Sequence, residues 1–179
     1  SARIIVTSPP YLQCSEPLRA WHDRCAVVPL GLGSVETRPD TATADTPHWH
    51  HGALRLLSIG RLTYYKGFET LIQAAAPLPN VQLLIIGEGE LRGQLQALID
   101  ASQPADRPRK IGLLGNVDDK EKHALLAQCD VFCLASRERT EAFGIAILEA
   151  MQHAKPCIVS DLEGSGMPWV VRTDRKSVV

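Results

Sequence analysis

The chain has 179 residues and a formal net charge of −1, and 45% of its residues are hydrophobic. This length fits one domain, or one domain with a piece of another. The near-zero charge gives no field that would attract nucleic acid or an anionic membrane, so we expect neither as the main partner. No apolar run approaches the roughly 20 residues of a spanning helix. The cysteines are scattered and odd in number, which predicts reduced, buried thiols in a cytoplasmic protein: Cys14, Cys25, Cys129, Cys133 and Cys157.

The amino-terminal part of the chain predicts a small α/β piece. Apolar runs at 2–8 and 25–31 predict strands, and the stretch 11–23 between them predicts a helix. Residues 34–52 contain Pro, Thr and Asp without periodicity, which is typical of a linker or loop. The chain begins without Met, and residues 172–179 fit no preceding pattern. We therefore expect a fragment of a longer protein with a non-native tail.

From residue 53 onward, apolar strands alternate with helical segments over short connections. The pattern predicts five strands joined by four helices. The run "VQLLII" is continuously apolar, which is typical of a strand buried on both faces. Because parallel strands require such helical crossovers, we expect a Rossmann-like, doubly wound α/β fold with a parallel sheet. Ligands of such sheets bind outside the carboxyl ends of the strands, so the loops there are candidate ligand sites.

The loop after the first of these strands contains two cations. In "SIGRLTYYKGF", Gly60 permits a tight turn, and Arg61 and Lys66 precede the next helix. Two cations beside the free N–H groups of a helix start form a suitable cradle for a diphosphate. The alternative is a pair of solvated surface charges.

Glycines also follow the next two strands. "GEGEL" has Gly87 and Gly89 but lacks the third glycine of the dinucleotide fingerprint, so the signal alone is weak and the alternative is a simple turn. The incomplete pattern disfavours a dinucleotide oxidoreductase. In "GLLGNV", the backbone groups of Asn116 and Val117 follow a strand end and could face a ligand.

Two polar stretches have simpler interpretations than metal binding. "HWHH" at 48–51 lies in the predicted linker, where no scaffold fixes the ligands that a metal site requires. "DDKEK" at 118–122 precedes an apolar-periodic segment and predicts a helix capped by Asp118, with a solvated charged face.

The stretch "EAFGIAILE" places two acids, Glu141 and Glu149, on either side of mostly apolar residues. If the whole stretch is helical, they lie about 12 Å apart along its axis and can face one groove. A carboxylate in apolar surroundings needs hydrogen-bond donors, and the vicinal diol of a ribose or sugar suits it. The alternative is an acid stabilised by a helix N-terminus and a second acid on the polar face.

Together these motifs resemble the retaining GT-B glycosyltransferases of family 4, glycosyltransferase group 1. The motifs are "VVPLG", "SIGRLTYYKGFETLIQAA", "LLIIGEGEL", "GLLGNV", "SRERTEAFGIAILEAM" and "KPCIVSDLEGSG". The two acids match the E-x7-E motif of that family. The resemblance implies a Rossmann-like GT-B C-terminal domain at 53–171, incomplete at its C-terminus and binding a nucleotide sugar. It also implies the tail end of the acceptor domain at 1–33, a linker at 34–52, and a non-native tail at 172–179.

The resemblance implies roles for individual residues. Arg61 and Lys66 match the pair that binds the donor diphosphate and stabilises the leaving nucleotide. Glu141 matches the acid that contacts the donor sugar and Glu149 the acid that binds the ribose diol. The remaining implied donor contacts are the strand-end glycines, the helix start and the base site: Gly60, Gly87, Phe143, Gly144, Ile145, Asn116 and Val117.

The implied function is a mannosyltransferase-like transfer of a sugar from a GDP- or UDP-linked donor, with retention. The acceptor, a glycan or lipid-linked glycan, would bind the missing N-terminal domain, so we expect this chain alone to be inactive. The expected setting is polysaccharide biosynthesis in the cytoplasm, at the inner face of the plasma membrane, with peripheral membrane association. Two cations and helix amides would replace a metal or cofactor. A non-catalytic nucleotide-binding module and a sugar-nucleotide epimerase of the same fold are the alternatives.

Overall fold

The computed structural model describes residues 2–33, 48–103 and 108–173. The amino-terminal elements are β1 (Ile4–Val6), α1 (Pro9–Cys14), a 3-10 helix (Glu16–Arg24) and β2 (Cys25–Val27). The elements of the second part are β3 (Leu54–Ile59), a 3-10 turn (Tyr64–Lys66), α2 (Phe68–Ala75), β4 (Val81–Ile86), α3 (Arg92–Ser102), β5 (Ile111–Gly115), α4 (Asp119–Gln128), β6 (Val131–Leu134), α5 (Ile145–Gln152), β7 (Cys157–Val159) and α6 (Met167–Thr173).

The second part of the chain forms one parallel sheet with the strand order β5-β4-β3-β6-β7. This confirms the predicted α/β fold with five parallel strands. From the central strand β3, the chain first adds β4 and β5 on one side and then β6 and β7 on the other. The strand order therefore reverses between β3 and β6, and their carboxyl ends form the topological switch point of the sheet.

Helices cover both faces of this sheet. On β4, Leu83 and Ile85 pack with α2 and α3, whereas Leu84 and Ile86 pack against the opposite face with α4, α5 and α6. All residues of β4 are buried, as expected for an interior strand between two helical layers. Full burial of each such side chain contributes about 1.5–3 kcal/mol. Hydrophobic burial on both faces therefore holds the strand ends, and the loops that follow them, in place.

The amino-terminal part contains a parallel pair of strands, β1 and β2. The single helix predicted over 11–23 is wrong, because α1 ends at Cys14 and a separate 3-10 helix starts at Glu16. Pro17 explains the break, since it lacks the amide N–H that a continuous helix would use and its ring would clash with the carbonyl four residues earlier. Ser15, between the two helices, is extended with φ −85° and ψ 102°.

Most of the predicted linker, residues 34–47, lies outside the described residues. Its remaining residues, 48–52, are loop and turn. They are attached to the sheet by Gln82, whose side chain donates to the His48 carbonyl and accepts from the His50 amide, each at 2.5 Å. His48 also contacts α4, with 2.9 Å between its Nε2 and Glu121 Oε1. This stretch is therefore docked beside the amino end of β4.

Part of the predicted tail belongs to a helix. Helix α6 continues to Thr173, and Arg172 pairs with Asp161 at 3.1 Å. Residues 174–179 lie outside the described residues. Within the described ranges, no helix is long and apolar enough to cross a membrane.

Candidate functional site

A cleft of about 380 Å³ opens at the carboxyl ends of β3 and β6, at the topological switch point. Residues singled out from the sequence line it: Gly60, Lys66, Glu141, Phe143, Gly144 and Ile145. Thr7 and Leu30 also line it, so the amino-terminal part of the chain forms one wall. Sequence reasoning missed these two residues. Their location in two short predicted strands did not indicate that they reach the cleft.

A second cavity, of about 400 Å³, lies at the opposite edge of the sheet. It is lined by residues such as Pro77, Asn80 and Lys110, and the Lys110 ammonium donates to the carbonyls of Ala76 and Leu78. Lys110 therefore stabilises the carbonyl end of α2. The candidate residues line the first cavity and not this one, so we assign function to the first.

Lys66 and Glu141 form an ion pair inside the cleft. Lys66 Nζ donates to Glu141 Oε2, and each side chain has an exposed fraction of 12%. Ser136 Oγ lies 3.5 Å from the same carboxylate oxygen, and Lys66 Nζ lies 5.5 Å from the centre of the Tyr65 ring. Because little of either charge reaches water, each depends on the other, or on a ligand, for compensation.

The two loops that position this pair are joined by hydrogen bonds. The Arg137 amide donates to the Tyr65 carbonyl at 2.7 Å, which ties the loop after β6 to the loop after β3. Ser165 Oγ donates to the Glu141 carbonyl at 2.7 Å and accepts from the Met167 amide at 3.3 Å. The backbone on both sides of the ion pair is therefore fixed.

The amino-terminal wall contacts the same loop. The Arg139 guanidinium donates to the Cys14 carbonyl at the end of α1. Gly164 packs against Cys14, since a Cβ added to this glycine would lie 2.7 Å from the Cys14 Cβ. A Cβ added to Gly166 would likewise lie 2.9 Å from Ser8 Oγ. Small residues thus allow the two parts of the chain to close around the cleft.

Helix α5 begins at the edge of the cleft. Gly144 is its N-cap residue in the left-handed conformation, with φ 77° and ψ 68°, so the stretch "EAFGIAILE" is helical only from Ile145. No side-chain hydrogen bond caps this end within the described residues. The free N–H groups of the first turn lie where Ile145 and Ala146 line the cleft. A helix start of this kind attracts an anionic group.

Two predicted glycines make room for these loops. A Cβ added to Gly60 would lie 3.3 Å from Lys66 Cε, so the glycine leaves space for the lysine side chain. Gly87 has φ 141°, and a Cβ there would lie 1.9 Å from the Gly60 carbonyl oxygen. Among the described residues that line the cleft, Gly60 is present and Gly87 is not. The geometry gives Gly87 a packing role.

Three further predicted residues lie outside the lining of the cleft. Arg61 is exposed, and within the described part of the chain its guanidinium makes neither an ion pair nor a hydrogen bond. Asn116 is exposed at the end of β5, and the half-buried Val117 packs against the core. The structure therefore places all three near the carboxyl edge of the sheet without bringing them into the cleft.

Glu149 lies on α5 and pairs with Lys122 of α4. Lys122 Nζ is 2.9 Å from Glu149 Oε1, and the side chains are 21% and 19% exposed. The prediction of a solvated charged face for 118–122 is therefore wrong for Lys122. The predicted cap is confirmed, since Asp118 Oδ1 accepts from the Glu121 amide at 2.7 Å. The ion pair was missed because it depends on how two helices are rotated relative to each other.

Metal binding finds no support in this geometry. The described ranges contain no group of three or more His, Cys, Asp or Glu residues that could hold a metal ion. Of "HWHH", His48 contacts a carboxylate and the backbone amide of His50 binds Gln82, as given above.

Residues 45–176 match the sequence model of the family described as glycosyl transferases group 1. This match covers well over half of the chain. The chain belongs to the glycosyl transferases group 1 family.

Curated relatives within this family span almost the whole chain. The D-rhamnosyltransferase WbpZ of Pseudomonas aeruginosa is 34% identical over 170 residues, which cover 94% of this chain and 43% of the relative. The O-antigen chain mannosyltransferase C of Escherichia coli is 29% identical over 169 residues, covering 93% of this chain and 43% of the relative. The chain thus spans less than half the length of these relatives.

Solved glycosyltransferase structures share the fold. A glycosyltransferase from Rickettsia africae superposes with a TM-score of 0.72 at 20% identity, covering 92% of this chain and 45% of that one. Anabaena Alr3699/HepE in complex with UDP superposes with a TM-score of 0.70 at 21% identity, covering 92% and 46%. At these identities the likeness shows the fold alone, a parallel α/β sheet of the GT-B type.

Proposed function

We propose that this chain is the donor-binding half of a retaining, family 4 glycosyltransferase. It would transfer a sugar from a GDP- or UDP-linked donor to a glycan or lipid-linked acceptor. One observation supports this most directly: a largely buried Lys66–Glu141 pair lies in a cleft at the switch point, beside an uncapped helix start. A cation, a carboxylate and free amides are the groups that a diphosphate joined to a sugar requires.

The ion pair suggests how the site responds to the donor. Without a ligand, Lys66 and Glu141 compensate each other's charge away from water. A diphosphate entering the cleft would compete with Glu141 for the Lys66 ammonium. The freed carboxylate could then accept hydrogen bonds from the donor sugar. Binding would thus exchange one buried charge pair for two ligand contacts, without leaving either charge uncompensated.

During transfer, the bond between the anomeric carbon and the diphosphate would break as the acceptor hydroxyl oxygen bonds to that carbon. Negative charge would develop on the leaving phosphate oxygen, which would take up the acceptor proton. Lys66 and the amides at the start of α5 would stabilise that charge where it develops. Arg61, exposed on the same loop, would add a second cation to the diphosphate. We propose that these groups serve in place of a resident metal or cofactor.

The rest of the donor would extend toward α4. We assign the ribose diol to Glu149 and the base to the loop of Asn116 and Val117, which follows β5 and precedes α4. The geometry that supports this is the Lys122–Glu149 contact, because it places this face of α5 next to the start of α4.

The biological setting is inferred from the relatives. WbpZ is named as a D-rhamnosyltransferase and the Escherichia coli protein as an O-antigen chain mannosyltransferase. We propose that the present chain acts in polysaccharide assembly in the cytoplasm, with peripheral association at the inner face of the plasma membrane. The acceptor would bind a preceding domain, of which residues 1–33 form the end.

Calorimetric titration of GDP and UDP into this chain tests donor binding. We expect one nucleotide to bind, and Lys66→Met to weaken its affinity at least about tenfold, since hydrogen bonds to charged groups contribute about 1.5–3 kcal/mol. Lys120→Met is the matched control, because Lys120 is exposed on α4. Glu141→Gln should bind the nucleotide at least as tightly, because it frees Lys66. If a folded chain bound neither nucleotide, the proposal would be wrong.

Transfer is tested in the full-length protein with GDP- and UDP-linked sugars. We expect product with the anomeric configuration of the donor, measured by the coupling constant of the anomeric proton, and loss of product in Glu141→Gln. An inverted configuration would contradict retention. Binding without any transfer would favour the non-catalytic nucleotide-binding module.

A further inference from the structure

The contact between α4 and α5 includes a largely buried lysine that the proposed function has not used. Lys122 Nζ lies 2.9 Å from Glu149 Oε1 and 3.1 Å from Asp119 Oδ1. Asp119 is 90% exposed, whereas Lys122 and Glu149 are 21% and 19% exposed. The Lys122–Glu149 contact is therefore the more shielded of the two. It joins residues that are 27 positions apart in the chain.

This pair joins the helix that begins at the cleft to the helix that follows the loop after β5. Ile145 lines the cleft, and Glu149 follows it by one helical turn on the same face of α5. Lys122 lies near the start of α4, close in the chain to Asn116 and Val117. A ligand that reaches from the cleft to this loop would therefore pass Glu149.

Lys122 binds one of the two oxygens of the Glu149 carboxylate. Within the described residues, Glu149 Oε1 accepts from Lys122 and Oε2 accepts no hydrogen bond. Burial alone would lower the pKa of Lys122, but its hydrogen bonds with Glu149 and Asp119 outweigh that effect, so the pKa is raised. The ammonium therefore remains charged across the neutral range and holds the carboxylate in one orientation.

We propose that Lys122 is a positioning residue, which orients Glu149 so that its carboxylate accepts hydrogen bonds from the vicinal diol of a nucleotide ribose. The inference rests on the proposed function, which assigns the ribose to Glu149. A glutamate that is already ordered loses less side-chain entropy when the diol binds. Lys122 thus acts on the preference for ribose over deoxyribose and does not contact the nucleotide itself.

The test compares GDP with 2′-deoxy-GDP, or UDP with 2′-deoxy-UDP, by calorimetry on this chain. We expect the ribonucleotide to bind about tenfold more tightly, as a charge-assisted hydrogen bond implies. Glu149→Ala should bring this ratio close to one. Lys122→Met should reduce the ratio to about threefold, because it weakens binding of the ribonucleotide and leaves binding of the deoxyribonucleotide unchanged. This change corresponds to a partial loss of the hydrogen bond to the ribose. Lys122→Arg should retain most of the preference, and the exposed control Lys120→Met all of it.

The outcomes separate the two proposals. If the folded chain binds neither ribonucleotide, or if Glu149→Ala leaves the ratio unchanged, the ribose assignment fails and this inference fails with it. If Glu149→Ala abolishes the preference and Lys122→Met keeps it in full, only the role of Lys122 is overturned. If Lys122 only stabilised the fold, Lys122→Met would weaken the binding of both nucleotides equally and leave their affinity ratio unchanged. Thermal unfolding of each variant shows that the binding data come from folded protein, and Lys122→Gln replaces Lys122→Met if the latter does not fold.

Discussion

At the residue scale, Gly87 determines how closely two loops beside the cleft can approach each other. Its φ of 141° is accessible to glycine, and a Cβ would lie 1.9 Å from the Gly60 carbonyl oxygen. We expect Gly87→Ala to lower the free energy of unfolding by about 2 kcal/mol or more, through backbone strain and displacement of the loop after β3. Urea unfolding followed by circular dichroism measures the change.

The control for this prediction is a glycine without such constraints. Gly93 lies within α3, and no described heavy atom lies within 4 Å of the Cβ that alanine would add. Gly93→Ala should raise the free energy of unfolding by up to about 1 kcal/mol, because alanine has the higher helix propensity. Equal destabilisation by both substitutions would show that the close approach at Gly87 is not the cause.

At the element scale, the start of α4 depends on a single side-chain cap. Asp118 Oδ1 accepts from the Glu121 amide at 2.7 Å. We expect Asp118→Ala to lower the free energy of unfolding by about 1 kcal/mol, and Asp118→Asn by only a few tenths of that, since asparagine caps equally well. Thermal unfolding of the variants compares them. If Asp118→Ala were as stable as the parent chain, water would hydrogen-bond the Glu121 amide as well as the Asp118 side chain does, and the prediction would be wrong.

The elements themselves could be predicted because their signals are local. The apolar run of β4 and the spacing of Leu95 and Ile99 on α3 follow from burial on both faces of the sheet and on one helix face. The break at Pro17 carried a local signal too, and reading the segment as one helix ignored it. Lys122 had no such signal, because its partner is on another helix. Only the packing of α4 against α5 decides that this lysine is shielded from water.

At the scale of the whole molecule, the site combines residues that sequence reasoning could find with others that it could not. Lys66 and Glu141 follow strand ends, and the parallel topology requires such ends to meet at one edge. Thr7 and Leu30 belong to the separate amino-terminal part. Their position at the cleft depends on packing between distant parts of the chain, such as the contact of Arg139 with the Cys14 carbonyl. Local patterns carry no information about that contact.

The buried thiols of the core are expected to make the whole molecule less stable at alkaline pH. Burial raises the pKa of Cys129 to about 12 and that of Cys133 to about 11. Above about pH 9 the unfolded state loses thiol protons that the native state keeps, so the free energy of unfolding falls as pH rises toward these values. The slope should approach about 1.4 kcal/mol per pH unit for each thiol.

Urea unfolding between about pH 8 and 10.5 measures this slope. Cys133→Ala should remove its share of the slope, although the cavity lowers stability at every pH. Cys14→Ser should keep the full slope, because Cys14 is exposed, which corrects the prediction that all five thiols are buried. A slope that Cys133→Ala leaves unchanged would assign the alkaline loss to other groups.

The exposed thiol of Cys14, at the end of α1, is a suitable site for a fluorescent label. Cys14 lies where the amino-terminal wall meets the loop with Glu141, and its backbone carbonyl is bound by Arg139. An environment-sensitive fluorophore attached there would lie at the junction of the two parts. Cys129, Cys133 and Cys157 are buried, and the half-buried Cys25 would first be replaced by serine. The chain thus provides its own optical reporter position, from which opening and closing of the cleft could be followed in real time in single molecules.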